Sequence, residues 1–363
     1  MTAEPSWEYR LLHGRRKSEY YPLSHPPFRS RRHRPLAAEG CATDQGHLVE
    51  FRTIDTRSIL NRSVSKRQLY FTWSINPYRG CEFGCRYCYA RYTHEFMEKH
   101  DPESFEREIY IKQHAAWLLR QELRNVRPGE DIAIGTATDP YQPIERRAWV
   151  TRSLLEVFAE QQGLRLGIVT KSTLIERDID LLVRIAARNR LTLHLTITTP
   201  DPKLARILEP RAPRPDLRFR AVSRLRSAGL RAGILCSPLL PGITDTAEAL
   251  DRMARRARKV DASFFASQPL FLKPCSRPVF MRFIQEHFPQ LEKEYATRYG
   301  QQAFVSKAYL ERVAALVRAT VRKHGLERRF AESLGLETGK PPQPAWPLQS
   351  EFWPQQATRA RSA

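Results

Sequence analysis

The chain has 363 residues, with 60 Lys and Arg against 39 Asp and Glu, for a formal net charge of +21. At 41% hydrophobic and 27% charged it has the composition of a globular protein with a sizeable core, which excludes fibrous, collagen-like and wholly disordered classes. No run approaches the roughly 18 apolar residues of a membrane span, and the start Met1-Thr2-Ala3-Glu4-Pro5 has no apolar signal core, so a cytoplasmic protein without membrane contact is expected.

Residues 1–66 are polar and basic, with Pro22, Pro26, Pro27 and Pro35, and read as a partly disordered N-terminal extension. From residue 67 the pattern changes. Short apolar, β-branched runs recur at Leu69–Ile75, Asp131–Thr136, Leu164–Thr170, Leu191–Thr198, Leu230–Leu235 and Ala262–Ala266. Helical spacing lies between them: Ile111, Ala115, Leu118, Leu119 and Leu123 on one face, Leu154, Leu155 and Phe158 on another, Ile179, Leu182, Val183 and Ala186 on a third. Ser104, Thr173 (with Glu176 three residues on) and Thr244 read as helix starts, and Gly163 and Gly229 as helix stops.

Six strands alternating with helices predict an α/β fold of parallel βαβ units. A full eight-unit barrel takes about 250 residues, whereas this core runs from Tyr70 to about Leu272. A partial (β/α)6 TIM-like barrel over 67–275 is therefore expected, with a doubly wound open sheet as the runner-up. Helical patterns at Val279–Tyr295 and Val305–Lys323 predict a helical C-terminal extension over 276–336. A Pro-rich disordered tail, 337–363, follows, whose Trp346, Phe352 and Trp353 are candidate docking groups. In either architecture the chemistry gathers at the carboxyl ends of the strands.

Six cysteines without a secretory signal argue against a disulfide framework. Cys41, Cys236 and Cys275 are isolated, but Cys81, Cys85 and Cys88 fall within eight residues, in Asn76-Pro77-Tyr78-Arg79-Gly80-Cys81-Glu82-Phe83-Gly84-Cys85-Arg86-Tyr87-Cys88-Tyr89-Ala90. Thiolates at C-x3-C-x2-C suit zinc or iron–sulfur. A structural zinc wants four closed protein ligands, yet no partner CxxC exists and His94 is the one nearby fourth candidate. A [4Fe–4S] cube held by three cysteines keeps one iron open. That iron is able to chelate the amino and carboxylate groups of S-adenosyl-L-methionine, and one-electron cleavage of a C–S bond then releases a 5′-deoxyadenosyl radical. Gly80 and Gly84 would let the short loop wrap the cube.

The triplet, placed after the first strand of a six-unit core, resembles the radical S-adenosylmethionine (SAM) superfamily, and Gly-Cys-x-x-Gly-Cys-x-Tyr-Cys-Tyr-Ala is similar to its spore photoproduct lyase-like branch. The resemblance covers roughly Leu69 to Leu272. It implies a radical SAM enzyme, a lyase or transferase, with a [4Fe–4S] cluster and S-adenosyl-L-methionine as cofactors. Cys81, Cys85 and Cys88 would be both metal ligands and catalytic residues. In the run Gly135-Thr136-Ala137-Thr138-Asp139-Pro140, the clustered hydroxyls and carboxylate suit an amino acid or ribose moiety, and the resemblance points Thr138 and Asp139 at the cofactor's amino group. It likewise assigns Lys171 to the cofactor carboxylate and Tyr87 to the neighbourhood of the adenine. Thr198, on one strand face with Thr196, is a candidate ribose contact, and the loop Ser237–Asp245 is similar to the adenine-side loop. Tyr89 is a candidate for radical transfer. The branch's hydrogen-donor cysteine at the end of strand two is missing, because Ala137 and Thr138 stand there; Cys236 and Cys275 are the remaining thiols, and both read more simply as inert.

Basic residues cluster: eight Lys/Arg and one acid over Arg10–Arg34, nine and two over Lys203–Arg231, and five over Arg252–Lys259. Such a surface attracts polyanions, so nucleic acid is the expected substrate class, with a peptide as the alternative and an electron donor such as flavodoxin or ferredoxin as a second partner. The competing reading is a zinc- or cluster-containing nucleic-acid-binding or redox-sensing protein without radical catalysis.

Overall fold

The computed structural model describes residues 32–33, 49–63 and 71–326. Cys41, Leu69, Tyr70, the tail aromatics and most of the basic N-terminal stretch lie outside the described residues.

Among the described residues the principal sheet has seven strands. Six are parallel and adjacent in chain order: β4 (Trp73–Ile75), β7 (Asp131–Ile134), β8 (Arg165–Thr170), β9 (Arg190–Thr196), β10 (Ala232–Leu239) and β11 (Phe265–Pro269). A seventh, β3 (Leu60–Arg62), pairs antiparallel with β4 and forms the far edge. A doubly wound sheet reverses its strand order at a switch point; here each parallel strand neighbours its predecessor, which excludes the runner-up architecture. Among the described residues β3 and β11 are the two edges, and no strand there closes the sheet.

Along β7 and β8 buried and half-buried residues alternate strictly, and along β9 they alternate as far as Leu195, after which Thr196 is buried too. The fully buried set, Ile132, Ile134, Leu166, Ile168, Leu191, Leu193 and Leu195, faces the helices that follow the strands. The helices are α1 (Ala115–Glu122), α2 (Val150–Ala159), α3 (Ile179–Ala186), α4 (Pro202–Leu208), α5 (Pro215–Ser227) and α6 (Ala247–Lys259). Their apolar stripes meet the same core through Leu118 and Leu119, Leu154, Leu155 and Phe158, and Leu181, Leu182 and Ile185. The α3 stripe is shifted from the expected one, since Val183 is 41% exposed.

The helix starts also differ in detail. Ser172 rather than Thr173 caps its helical run by accepting from the Leu174 N–H, and Thr246 rather than Thr244 caps α6 by accepting from Ala249. Thr244 instead accepts from the Leu240 N–H at 2.7 Å. Ser104 is the first residue of its turn, and Glu103 occupies the cap position.

A second, four-stranded sheet is absent from the sequence reading. Its order is β1 (Arg32–His33), β2 (Val49–Ile54), β6 (Glu108–Lys112), β5 (Tyr78–Arg79). Residues 49–63, placed in the loose extension by sequence, therefore include two ordered strands, and Val49, Phe51, Ile59 and Leu60 are buried. Ile111 belongs to β6 rather than to the α1 stripe. Short apolar runs do not distinguish strand from helix by spacing alone, and His114, at φ +54°, breaks any helix between Ile111 and Ala115.

The C-terminal segment forms α7 (Arg277–His287), α8 (Glu292–Tyr299) and α9 (Lys307–Lys323). Pro289, which lacks an N–H, divides the single helix expected over Val279–Tyr295. Three buried tyrosines tie these helices to the loops beyond the carboxyl ends of β10 and β11. Tyr295 donates to the Pro241 carbonyl (2.8 Å), Tyr299 to Leu270 (2.9 Å) and Tyr309 to Asp245 (2.7 Å).

Candidate active site

Strand β5 ends at Arg79, and the chain turns at once into the cysteine loop. Gly80 has φ +83°, and a Cβ there would lie 2.6 Å from the Glu108 carbonyl oxygen and 2.8 Å from that of Phe105. Only glycine lets the loop press so closely on β6. The Cys81 N–H donates to Phe105 at 3.0 Å and the Arg86 N–H to Leu208 at 2.9 Å. Gln142, fully buried, staples the loop: its amide donates to the Gly80 carbonyl and to Thr138 Oγ1 (3.1 Å each), and its oxygen accepts from the Glu82 N–H at 2.9 Å. On the other side Arg91 donates to the carbonyls of Pro102 (2.5 Å) and Cys85 (3.2 Å) and pairs with Glu106 at 2.6 Å. Arg211 donates to the Glu82 carbonyl and packs on Gly84, whose missing side chain gives it room.

Cys81, Cys85 and Cys88 are free thiols, the first two buried and the third half-buried. Burial raises all three, Cys85 to about 12, although Lys171 opposes the shift at Cys85 and Arg91 opposes it at Cys88. Such thiols keep their protons unless a metal displaces them. Three sulfurs free of disulfides, on a loop immobilised by backbone bonds and with cations beside two of them, are a donor set that fits a cluster. Among the described residues no three His, Cys, Asp or Glu side chains converge on one ion. His94, the zinc reading's fourth ligand, is buried, packs against Phe105 and Tyr110, and has its Nε2 3.0 Å from the Glu108 carbonyl.

The cysteine loop faces the carboxyl ends of β7, β8 and β9. Thr138 donates to the Gly80 carbonyl at 2.6 Å, so its hydroxyl holds the loop. The Asp139 carboxylate accepts from Thr170 Oγ1 (2.6 Å) and from the backbone N–H groups of Lys171 (2.7 Å) and Tyr141 (2.9 Å). Both side chains are thus already engaged with the protein. Lys171 has its ammonium 5.6 Å from the centre of the Tyr87 ring. Burial works against its charge, but Cys85, Glu209 and Asp139 outweigh burial and leave its pKa raised.

Tyr87 and Thr198 meet: their hydroxyls are 3.0 Å apart, and both bond the buried Glu209, Thr198 at 2.8 Å. Glu209 also pairs with the buried Arg218 at 2.5 Å. Burial raises the Glu209 carboxyl, but Arg218 and Lys171 overcome it, and the pKa falls below the ordinary value. Glu209, Arg218 and Gln142 were not singled out from sequence. The available signal was Glu209 itself, one of two acids among nine bases. Arg218, counted with a solvated basic run, is 1% exposed.

Tyr89 donates to the Thr136 carbonyl and packs with its ring tilted against that of Phe271, centroids 4.9 Å apart, which stacks in turn on Phe304 at 5.6 Å. The Cys275 thiol lies 3.8 Å from the Tyr89 carbonyl. Cys236 is buried beside Thr198, 3.9 Å from its carbonyl, with its thiol pushed up to about 12 by burial.

The structure is thus an α/β protein with parallel strands in chain order and a glycine-cradled cysteine triplet at their carboxyl ends. The model of the radical SAM superfamily matches residues 75–256, half of the chain. The chain belongs to that superfamily, whose cofactors are S-adenosylmethionine and a [4Fe–4S] cluster. It is 31% identical over 281 residues to an uncharacterized protein of Mycobacterium tuberculosis (strain ATCC 25618 / H37Rv), covering 77% of this chain and 82% of that one. It is 27% identical over 239 residues to an uncharacterized protein of Methanocaldococcus jannaschii, covering 66% and 83%. Its fold is similar to that of a spore photoproduct lyase variant solved with bound AdoMet and dinucleoside spore photoproduct: TM-score 0.57, 16% identity, 76% of this chain and 79% of that one.

Proposed function

We propose that this protein is a radical SAM enzyme with a partial (β/α)6 barrel, whose Cys81, Cys85 and Cys88 hold a [4Fe–4S] cluster with one open iron. The observation that carries this reading is the triplet of free thiols on a loop anchored through Gly80, Gln142, Arg91 and Arg211. When bound, the cluster and S-adenosylmethionine supply reductive cleavage of a C–S bond and a 5′-deoxyadenosyl radical that abstracts hydrogen from a substrate. Lys171 receives the cofactor carboxylate, because its ammonium is held charged beside the cysteines. Thr138 and Asp139 act from one step back: the first anchors the loop and the second presents the Lys171 backbone. Tyr87 and Thr198, locked by Glu209, shape the side of the site that takes the nucleoside. Tyr89, with Phe271 across it, stands where a radical would pass between cofactor and substrate.

The substrate class we favour is nucleic acid, acted on by a lyase or transferase reaction in the cytoplasm with a flavodoxin or ferredoxin as electron donor. Supporting it, a cavity of about 490 Å³ opens at the carboxyl ends of β9 and β10 between α4 and α6, with Lys203 and Arg252 on its rim and Arg255 and Arg256 beside it. The solved relative's dinucleoside ligand agrees with this class. The test is anaerobic reconstitution followed by iron and sulfide analysis and assay of 5′-deoxyadenosine, with Cys88→Ala as control. Near four irons per chain and product above the control support the reading. One zinc per chain, or an intact cluster yielding no 5′-deoxyadenosine, overturns it.

A further inference from the structure

The cavity between α4 and α6 is lined by neither the three clustered cysteines nor Lys171. Cys236, which does line it, belongs to the main core, whereas the adjacent Leu235 packs with Val169, Phe264 and Ala266 in a separate cluster. Successive strand residues point to opposite faces, so the cavity lies on the helix side of β10. Its lining is largely apolar, with Leu204 and Ile207 from α4, Met253 from α6 and the half-buried ring of Phe288. Thr199 and Thr244 share this lining, and each is only 4% exposed. Thr199 accepts from the Asp201 N–H at 3.2 Å and Thr244 from the Leu240 N–H at 2.7 Å, and among the described residues neither hydroxyl donates. Two exposed cations, Lys203 and Arg252, also border the cavity, and among the described residues neither side chain has an ion-pair or hydrogen-bond partner. The one carboxylate in the lining, Asp201, has its Oδ1 occupied in capping α4, where it accepts from the N–H groups of Lys203 (2.8 Å) and Leu204 (3.4 Å).

At about 490 Å³ the cavity falls in the range of small-ligand sites, about 300–1,000 Å³. Its chemistry asks for three things together: an apolar face, acceptors for two buried hydroxyl protons, and an anion for two uncommitted cations. A nucleobase carrying a phosphate offers all three, because its ring packs on apolar and aromatic side chains, its edge accepts, and its phosphate meets guanidinium and ammonium. An alkyl chain would fill the same space and leave both hydroxyls without an acceptor. A second cleft of about 410 Å³ adjoins the first, since Pro200, Asp201 and Arg252 line both, and Arg255 and Arg256 border it. Its arginines are held in place, Arg255 by Asp251 at 3.1 Å and Arg256 over the Phe219 ring at 4.2 Å. We propose, on the nucleic-acid reading given above, that this cavity receives one nucleotide of a single strand. Its base enters among Leu204, Ile207 and Met253, its phosphate lies between Lys203 and Arg252, and the strand continues over Arg255 and Arg256.

The experiment is equilibrium dialysis of the intact, anaerobically reconstituted protein against labelled 5′-phosphorylated trinucleotides of deoxyadenosine and of thymidine, with the matching mononucleotides alongside. Wild type is compared with Lys203→Gln, Arg252→Gln and Leu204→Trp. A trinucleotide binds the wild type, each glutamine variant weakens it about 5–10-fold, and Leu204→Trp, which fills the chamber, abolishes binding. The glutamine variants unfold at the wild-type temperature, because each replaces an exposed side chain that has no partner, so they test the proposal even if Leu204→Trp fails to fold. Saturating S-adenosylmethionine leaves trinucleotide binding unchanged. No trinucleotide binding overturns the proposal, as does equal binding by the glutamine variants. Displacement by S-adenosylmethionine overturns it by returning the cavity to the cofactor, and a mononucleotide that binds where trinucleotides are excluded does so by assigning it to a free metabolite. A longer single strand that binds wild type and glutamine variants alike would keep the nucleic-acid reading and overturn the cavity alone. 5′-Deoxyadenosine formation by the same preparations reports on the cysteine loop separately.

Discussion

Replacing Gly80 by alanine tests whether the cysteine loop is held by backbone contact. Two terms add. An L-residue at φ +83° costs about 1–2 kcal/mol. The new methyl would sit 2.6 and 2.8 Å from two carbonyl oxygens, both backbone atoms of β6 and the turn before it, which must move apart; overpacking of this kind costs about 1–3 kcal/mol. Their movement also strains the 3.0 Å bond from Cys81 to Phe105. The expected loss is about 2–5 kcal/mol. Gly163→Ala is the internal control: its φ is +75°, yet no atom lies within 4 Å of the added Cβ, so it costs only the dihedral term. Denaturant unfolding of both variants under anaerobic conditions, with iron counted after reconstitution, isolates the contact term as the difference between them. Gly80→Ala equal to Gly163→Ala in stability and iron content would refute the idea that pressure against β6 shapes the loop.

Lys171→Met should weaken S-adenosylmethionine binding about 10–100-fold, the loss of one charge-assisted contact, while iron content stays at the wild-type level; equilibrium dialysis of the reconstituted protein measures both. Glu209→Gln leaves Arg218 buried without its counter-ion, and removal of one partner from a buried pair costs about 3–5 kcal/mol, read from chemical denaturation. His194, lowered to about 4 by burial and then Arg231, is neutral in the fold while the unfolded chain protonates near 6.5. The unfolded state then binds the extra proton between these values, so this term makes stability rise with pH from about 4 to 6.5 and flatten above. A His194→Gln variant should lose that slope in chloride buffers. Gln142→Leu strands the Glu82 N–H and removes one of two donors to the Gly80 carbonyl, and should lower stability by about 1–3 kcal/mol together with iron retention on gel filtration.

How much of this was legible in the linear chain depends on the range of the interaction. The spacing of Cys81, Cys85 and Cys88, and the glycines between them, is a local property, and so are the six β-branched runs with their intervening helices; both survive in the structure. Strands β2, β5 and β6 were missed because their few apolar residues resemble helix turns or loop until they pair with one another across about 30 to 60 residues. The same distance hid Gln142 and Glu209, whose neighbours in sequence say nothing of the loop and the tyrosine they hold.

Composition and local pattern by themselves determined that the chain is a globular α/β protein with a thiol triplet at the end of a first strand, since thiol spacing and strand periodicity need no partner to be read. Only the tertiary structure decided what each polar side chain does. Thr138 and Asp139 became supports once their partners came within 2.6–2.9 Å. Arg218 changed from surface charge to buried counter-ion, and Asp131, Arg165 and Arg190 became direct neighbours through strand register. A charge acquires its role from the dielectric and the partner it meets, and both are properties of the folded arrangement.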